Sequence, residues 1–131
     1  MTSDILTLRV YYEDTDLAGI VYYANYLKFI ERARTEFVRV RGIDQAALKA
    51  EQGIVFAVRR VEADYLSPAR FDDLLTVETV VTELKGASIL MDQTILRDGG
   101  TLFRAKVTLV CLNDAGRAQR MPDAVRAALT L

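Results

Sequence analysis

The sequence predicts an α+β domain in which a five-stranded antiparallel sheet wraps around one long central helix. Three observations predict it. One strand-like run is followed by a long stretch of helical periodicity. Four runs of alternating apolar and polar residues then dominate the rest of the chain. An Asp98-Gly99-Gly100 signal joins the last two runs as a hairpin.

The first run is Leu6 to Tyr12, where Leu6, Leu8 and Val10 alternate with polar neighbours as in a strand. Glu13-Asp14-Thr15-Asp16 and Ala18-Gly19 then predict a turn or loop. From Tyr23 to Arg41 the period changes. Tyr26, Ile30, Ala33, Phe37 and Val40 recur at steps of three and four, and Leu27 and Phe29 widen the stripe. That spacing predicts an amphipathic helix of about five turns. Gly42 is placed to stop it. A second, shorter helix is expected over Asp44 to Glu51, followed by Gly53.

The alternating runs come next. Val61, Ala63 and Tyr65 define one; Leu75, Val77, Thr79 and Val81 a second; Ile89, Met91 and Ile95 a third. Phe103, Ala105, Val107, Leu109 and Cys111 share a face in the last, opposite Arg104, Lys106 and Thr108. Tight connections between them predict antiparallel pairing. The long helix is then the element able to cover the apolar face. A short terminal helix is expected over Pro122 to Leu129, with the proline near its first position.

The chain has 131 residues, read as a single domain over 1–131. Net charge is -1 and no basic run is present, so a nucleic-acid partner is not expected. No apolar stretch is long enough to span a bilayer, and Met1-Thr2-Ser3-Asp4 lacks the features of a signal peptide. The single Cys111 has no disulfide partner in the chain. These features predict a cytoplasmic protein without an integral membrane segment. Histidine is absent. Ser-His-Asp and Cys-His catalysis are thereby removed, along with the common zinc and non-haem iron ligand sets. Neither a metal nor a cofactor is expected.

The remaining catalytic chemistry is that of carboxylates and backbone dipoles. The segment from Asp14 to Tyr26 runs a carboxylate-bearing loop directly into the long helix. Ile20, Val21 and Tyr22 carry no short side-chain oxygen to cap the first N–H groups. An uncapped helix start fronted by Gly19 can receive a polarised carbonyl or an oxyanion, and the glycine lets a ligand approach closely. A neighbouring carboxylate can attack that carbonyl or deprotonate water. The plain alternative is an acidic turn that merely begins a helix. A calcium loop is a second alternative, although its third ligand position would be Ala18, its twelfth would be Asn25, and a strand precedes it.

Three blocks carry a family resemblance: Arg9 to Asp16, Gly19 to Tyr26, and Glu31-Arg32-Ala33-Arg34. It continues through Val58-Arg59-Arg60, Tyr65 to Arg70 and Asp72-Asp73. Over most of its length the chain resembles the YbgC-type, tol-pal-associated acyl-CoA thioesterases, and is similar to 4-hydroxybenzoyl-CoA thioesterases. The resemblance implies a hotdog fold, an acyl-CoA substrate, and a homo-oligomer built as a dimer of dimers, that is, a homotetramer. It implies that Asp16 is the catalytic carboxylate, that the backbone N–H of Tyr23 is the oxyanion donor, and that Gly19 keeps the turn open. Many YbgC-type members carry histidine where this chain has Tyr23, which leaves short aliphatic and aromatic acyl groups both open. Val21, Tyr22, Asn25 and Tyr26 are candidates for the substrate wall. Lys85 and Ser88, with Arg59 and Arg60, are candidates for the nucleotide phosphates of CoA, with solvated surface charge as the alternative for each cation. Glu31 is a candidate for orienting substrate or water, with a structural hydrogen bond as its alternative. A non-catalytic acyl-CoA-binding module or envelope-complex scaffold is the competing class. A hotdog dehydratase is disfavoured because those enzymes generally use a histidine.

Overall fold

The computed structural model describes residues 3–130. The order is β1 (Ser3–Arg9), a 3-10 turn (Tyr12–Asp14), α1 (Tyr23–Val40), α2 (Gln45–Gln52), β2 (Val55–Tyr65), β3 (Leu74–Leu84), β4 (Ser88–Arg97), β5 (Gly100–Leu112) and α3 (Asp123–Thr130). The five strands form one sheet in the order β1-β3-β4-β5-β2, and every neighbouring pair is antiparallel.

The helix α1 lies on the apolar face and buries Tyr26, Phe29, Ile30, Ala33, Phe37 and Val38. Opposite them lie Leu75, Val77, Ile89, Met91, Ile95, Phe103, Ala105, Val107, Leu109 and Cys111. The alternation of the sequence is thus the inward face of the sheet. Two residues of the expected helical stripe sit elsewhere. Leu27 is 40% exposed and Val40 is 71% exposed, so the buried stripe is narrower than the periodicity suggests.

Strand β2 holds its apolar phase through a bulge. Phe56 and Val58 pair with Cys111 and Leu109, and after the register shift Val61 and Ala63 pair with Val107 and Ala105. Directly paired residues share a face. Val58 and Val61, three apart, therefore both point inward because Arg59 is the extra residue of the bulge. Strand β3 shifts phase in the same way between Val81 and Glu83.

Two expectations are corrected. The first strand ends at Arg9, not Tyr12. Val10 turns its N–H to Asp73 O (2.9 Å), and the chain then tightens into the 3-10 turn. The connections are not all tight either. Those before and after β4 are short, and Asp98-Gly99 turns with both residues at positive φ (51° and 80°) as a two-residue hairpin requires. Strand β2, however, does not pair with β3. It crosses to the far edge beside β5, and segment 66–73 carries the chain back across the end of the sheet.

Candidate active site

The loop between β1 and α1 is held by one buried carboxylate. Asp14 is 7% exposed, and its Oδ2 accepts the Tyr11 N–H at 2.8 Å. Its backbone oxygen accepts two further donors, the Tyr22 N–H at 2.9 Å and the Asn25 Nδ2 at 2.9 Å. The loop is thereby tied to both its own start and the first turn of α1. Asp14 thus commits one carboxylate oxygen to the backbone at the start of the loop.

Asp16 sits two residues further along, partly buried. Its Oδ1 accepts the Ala18 N–H at 2.9 Å, and its own N–H donates to Ile20 O at 2.9 Å. This local turn fixes the carboxyl while Oδ2 has no hydrogen-bond partner among the described residues. Gly19 closes the turn at φ +81°, a left-handed conformation that side chains resist. A Cβ there would meet nothing within 4 Å, so the need for glycine is conformational.

Helix α1 starts without a cap. Tyr22 occupies the N-cap position with no side-chain hydrogen bond, and the Tyr23 N–H has no acceptor among the described residues. The sequence expectation of an open helix start is met by this geometry. Partial positive charge accumulates at such an end and is available to a ligand.

Asp16 and the helix start face a cavity of about 390 Å³. Its lining includes Val21, Tyr22, Tyr23 and Tyr26 from the predicted set, together with Tyr65 and Pro68. The far wall is Leu66, Ser67 and Pro68, which begin a segment (66–73) stitched to the loop that carries Asp16. Val21 N–H donates to Ala69 O (2.8 Å), and Ala69 N–H donates to the Tyr26 hydroxyl (3.0 Å). Asp73 anchors the segment through Arg97 at 2.7 Å and the Arg70 N–H at 2.8 Å. Burial alone would raise the Asp73 pKa, but these two donors outweigh it and hold the carboxyl below its ordinary value.

Tyr65 is the last residue of β2. Its ring packs edge-on against Tyr26 (5.3 Å between centroids) and Phe103 (5.1 Å). Its hydroxyl also donates to Tyr23 O at 3.0 Å. Burial, with the neighbouring Tyr23 and Tyr26 phenols, pushes its pKa up, so it remains a donor at neutral pH. No sequence motif flags this bond, because it joins residues far apart in the chain. The loop-locking role of Asp14 was likewise hidden inside an acidic run.

Other predicted residues lie away from the cavity. Gly19 and Asn25 stand behind its wall as loop supports and are not among the lining residues. Arg59 is at the bulge of edge strand β2. Lys85 and Ser88 flank the turn between β3 and β4, where Lys85 N–H donates to Ser88 O at 2.9 Å. That turn is at the end of β3 opposite Leu74, which pairs with Arg9 beside the loop that carries Asp16. One chain therefore does not bring Lys85 or Ser88 to Asp16. Glu31 accepts the Thr35 hydroxyl at 2.7 Å on the exposed side of α1. Among the described residues, no helix is long and apolar enough to cross a membrane.

Comparison with known proteins agrees with this architecture. The family model of the thioesterase-like superfamily matches residues 10–129. The acyl-CoA thioesterase YbgC of Haemophilus influenzae is 46% identical over 92% of this chain and 90% of its own. A probable thioesterase from Bartonella henselae superposes with a TM-score of 0.87 at 38% identity, over 92% of this chain and all (100%) of that one. A 4-hydroxybenzoyl-CoA thioesterase variant, solved with 4-hydroxybenzoyl-CoA, superposes at 0.90 with 26% identity over 97% of this chain and 98% of that one. The strand order, the central helix and these relatives together place the chain in the hotdog-fold thioesterase superfamily, among the YbgC acyl-CoA thioesterases.

Proposed function

We propose that this chain, a member of a family of acyl-CoA thioester hydrolases, hydrolyses short-chain or aromatic acyl-CoA to the free acid and CoA, with Asp16 as its catalytic carboxylate. The observation that carries the reading is the juxtaposition of a fixed carboxyl with an uncapped helix start at one cavity. The thioester oxygen takes the Tyr23 N–H and the positive end of α1, which stabilise the charge that develops on it. Asp16 then either attacks the carbonyl carbon to form a mixed anhydride, which water afterwards cleaves to release the acid and restore the carboxylate, or removes a proton from the water that attacks the carbonyl directly. Either way the C–S bond breaks and CoA leaves as a thiolate. Little acid assistance is needed, which suits a chain without histidine.

The tyrosine-rich lining and the modest cavity volume support a compact acyl group. Asp16→Asn should abolish CoA release from such substrates while fold and oligomer size stay unchanged. Persistence of wild-type turnover in that variant refutes the role of Asp16. Single turnover in ¹⁸O-water separates the two chemistries, because label in the Asp16 carboxyl marks nucleophilic attack. Saturable acyl-CoA binding without turnover by the wild type favours the non-catalytic module instead.

The active form we propose is an oligomer. The outer edge of β2 is unpaired among the described residues, and Val55, Val58 and Val61 of that strand are each more than a third exposed. Antiparallel pairing of two β2 edges satisfies these groups and extends the sheet. It also sets the Tyr65 end of one copy beside the Val55 end of the other. The second copy's Arg59, Lys85 and Ser88 then lie toward the first copy's cavity, where cations and turn N–H groups suit phosphates. Two such dimers pair into the tetramer.

A further inference from the structure

We propose that Tyr65, besides lining the cavity, is a positioning residue for the oxyanion site, acting through the main chain of α1. The proposal rests on the reading of Tyr23 as the first residue of that site. The Tyr65 hydroxyl donates to Tyr23 O at 3.0 Å. That oxygen belongs to the first peptide unit of α1, whose N–H is on Ala24. Within a helix the same oxygen already faces the N–H four residues on. Tyr65 therefore supplies a second donor to one carbonyl, which has two lone pairs to offer.

Two physical effects follow. The first is orientation. The Tyr23 and Ala24 N–H groups project from the uncapped end, and no side chain at Tyr22 fixes them. A donor on the Tyr23 carbonyl sets the plane of the peptide between these residues and so the direction of the Ala24 N–H. The second is polarisation. A hydrogen bond accepted at a peptide oxygen strengthens the N–H of the same unit, by about 10–30% per bond in a chain of such bonds. The Ala24 N–H thus becomes a better partner for developing negative charge, and lies beside the Tyr23 N–H proposed as the primary donor.

The rest of Tyr65 is built to hold this hydroxyl in place. Its ring stands edge-on to Tyr26 and Phe103, themselves stacked at 5.2 Å. Tyr26 is 3% exposed and Phe103 is fully buried, so the platform is rigid. The backbone of Tyr65 is the last residue of β2, opposite Phe103 in the ladder. The donor is therefore mounted on the sheet while the acceptor is mounted on the helix. The bond reports and maintains the distance between the two layers at the catalytic end.

Tyr65→Phe tests the idea because it keeps every ring contact and removes one oxygen. Release of CoA from butyryl-CoA and benzoyl-CoA would be measured for wild type, Tyr65→Phe, Asp16→Asn and a control, Tyr12→Phe. Tyr12 is 81% exposed and outside the cavity. The expected result is a fall in kcat of about three- to tenfold in Tyr65→Phe, with KM within about twofold. The Ala24 amide proton should also shift upfield in the ¹H–¹⁵N spectrum, as expected when its peptide loses a donor. A kcat equal to wild type, or an Ala24 resonance that does not move, overturns the proposal. So does a fall in kcat matched by a rise in KM and a loss of thermal stability, which marks a structural role. Activity retained in Asp16→Asn refutes the underlying catalytic reading instead, so the two failures are distinct.

Discussion

Asp14→Ala should damage catalysis far more than stability. The substitution removes the carboxylate that accepts the Tyr11 N–H at 2.8 Å. It leaves the backbone oxygen and hence the bonds from Tyr22 N–H and Asn25 Nδ2. One tether of three is lost. A hydrogen bond to a charged group contributes about 1.5–3 kcal/mol, but Tyr11 is exposed and water can replace the lost acceptor. The net cost should therefore be about 1–2 kcal/mol, or roughly 3–10 °C in Tm for a domain of this size. The effect on rate is larger. The released tether is the one that fixes the start of the loop carrying Asp16, and a misplacement of about 1 Å can cost about 100-fold. The expected outcome is a kcat lowered by about 10- to 100-fold, with thermal melting showing a cooperative, modestly shifted transition. Asp14→Asn, which keeps an acceptor, should lie between the two. If Asp14→Ala loses the predicted stability but keeps wild-type kcat, then this lock does not position Asp16 and the reasoning fails.

Three further outcomes can be checked. Gln93→Leu should destabilise by about 2–4 kcal/mol in urea titration, because the fully buried amide bonds Ile30 O, Thr79 Oγ1 and the Arg34 guanidinium. Arg34 would be left without that acceptor in a site whose burial already lowers its pKa, Glu31 partly offsetting this; equal stability of the variant would contradict the account. Asp73→Asn should lower Tm at neutral pH, and the deficit should shrink as pH falls below about 4. A carboxyl whose folded pKa is depressed contributes stability above its unfolded value and loses it as pH drops through the folded one; a pH-independent deficit would argue against the Arg97 and Arg70 contacts as its source. Lys85→Ala should raise KM for acyl-CoA with kcat little changed, and only in the oligomer; unchanged KM removes Lys85 from the phosphate site.

Much of the fold was legible because burial writes a period into the sequence. Leu75 to Val81 and Phe103 to Cys111 alternate as they do because one face of each meets α1. The uncapped start of α1 was equally legible, since capping depends on a few local side chains. The partner of β2 was not. Its alternation states which face is buried and is silent about which edge it joins, so the crossing through 66–73 had no local signature. The bulge at Arg59 left a trace in the three-residue step from Val58 to Val61, which only pairing interprets. At the site, the carboxylate and helix start were contiguous and could be read together. Tyr65 and the wall from Leu66 to Pro68 reach the cavity through tertiary packing alone.

The crossing strand also sets the order in which the molecule can assemble. Val55 pairs with Leu112 and Tyr65 with Phe103, so β2 leaves the ribosome well before any of its ladder partners exists. Loop closure over such separations costs entropy that is recovered only when β5 arrives. Until then both edges of β2 are open to pairing with a wrong chain. Its outward residues Arg59, Arg60, Glu62 and Asp64 are charged, which makes that interval safer. The bond from Tyr65 to Tyr23 forms only once this last strand has docked. The cavity is then completed late in the life of the chain: a nascent protein that has folded β1, β3 and β4 around α1 still lacks the wall that Tyr65 and Leu66 to Pro68 supply.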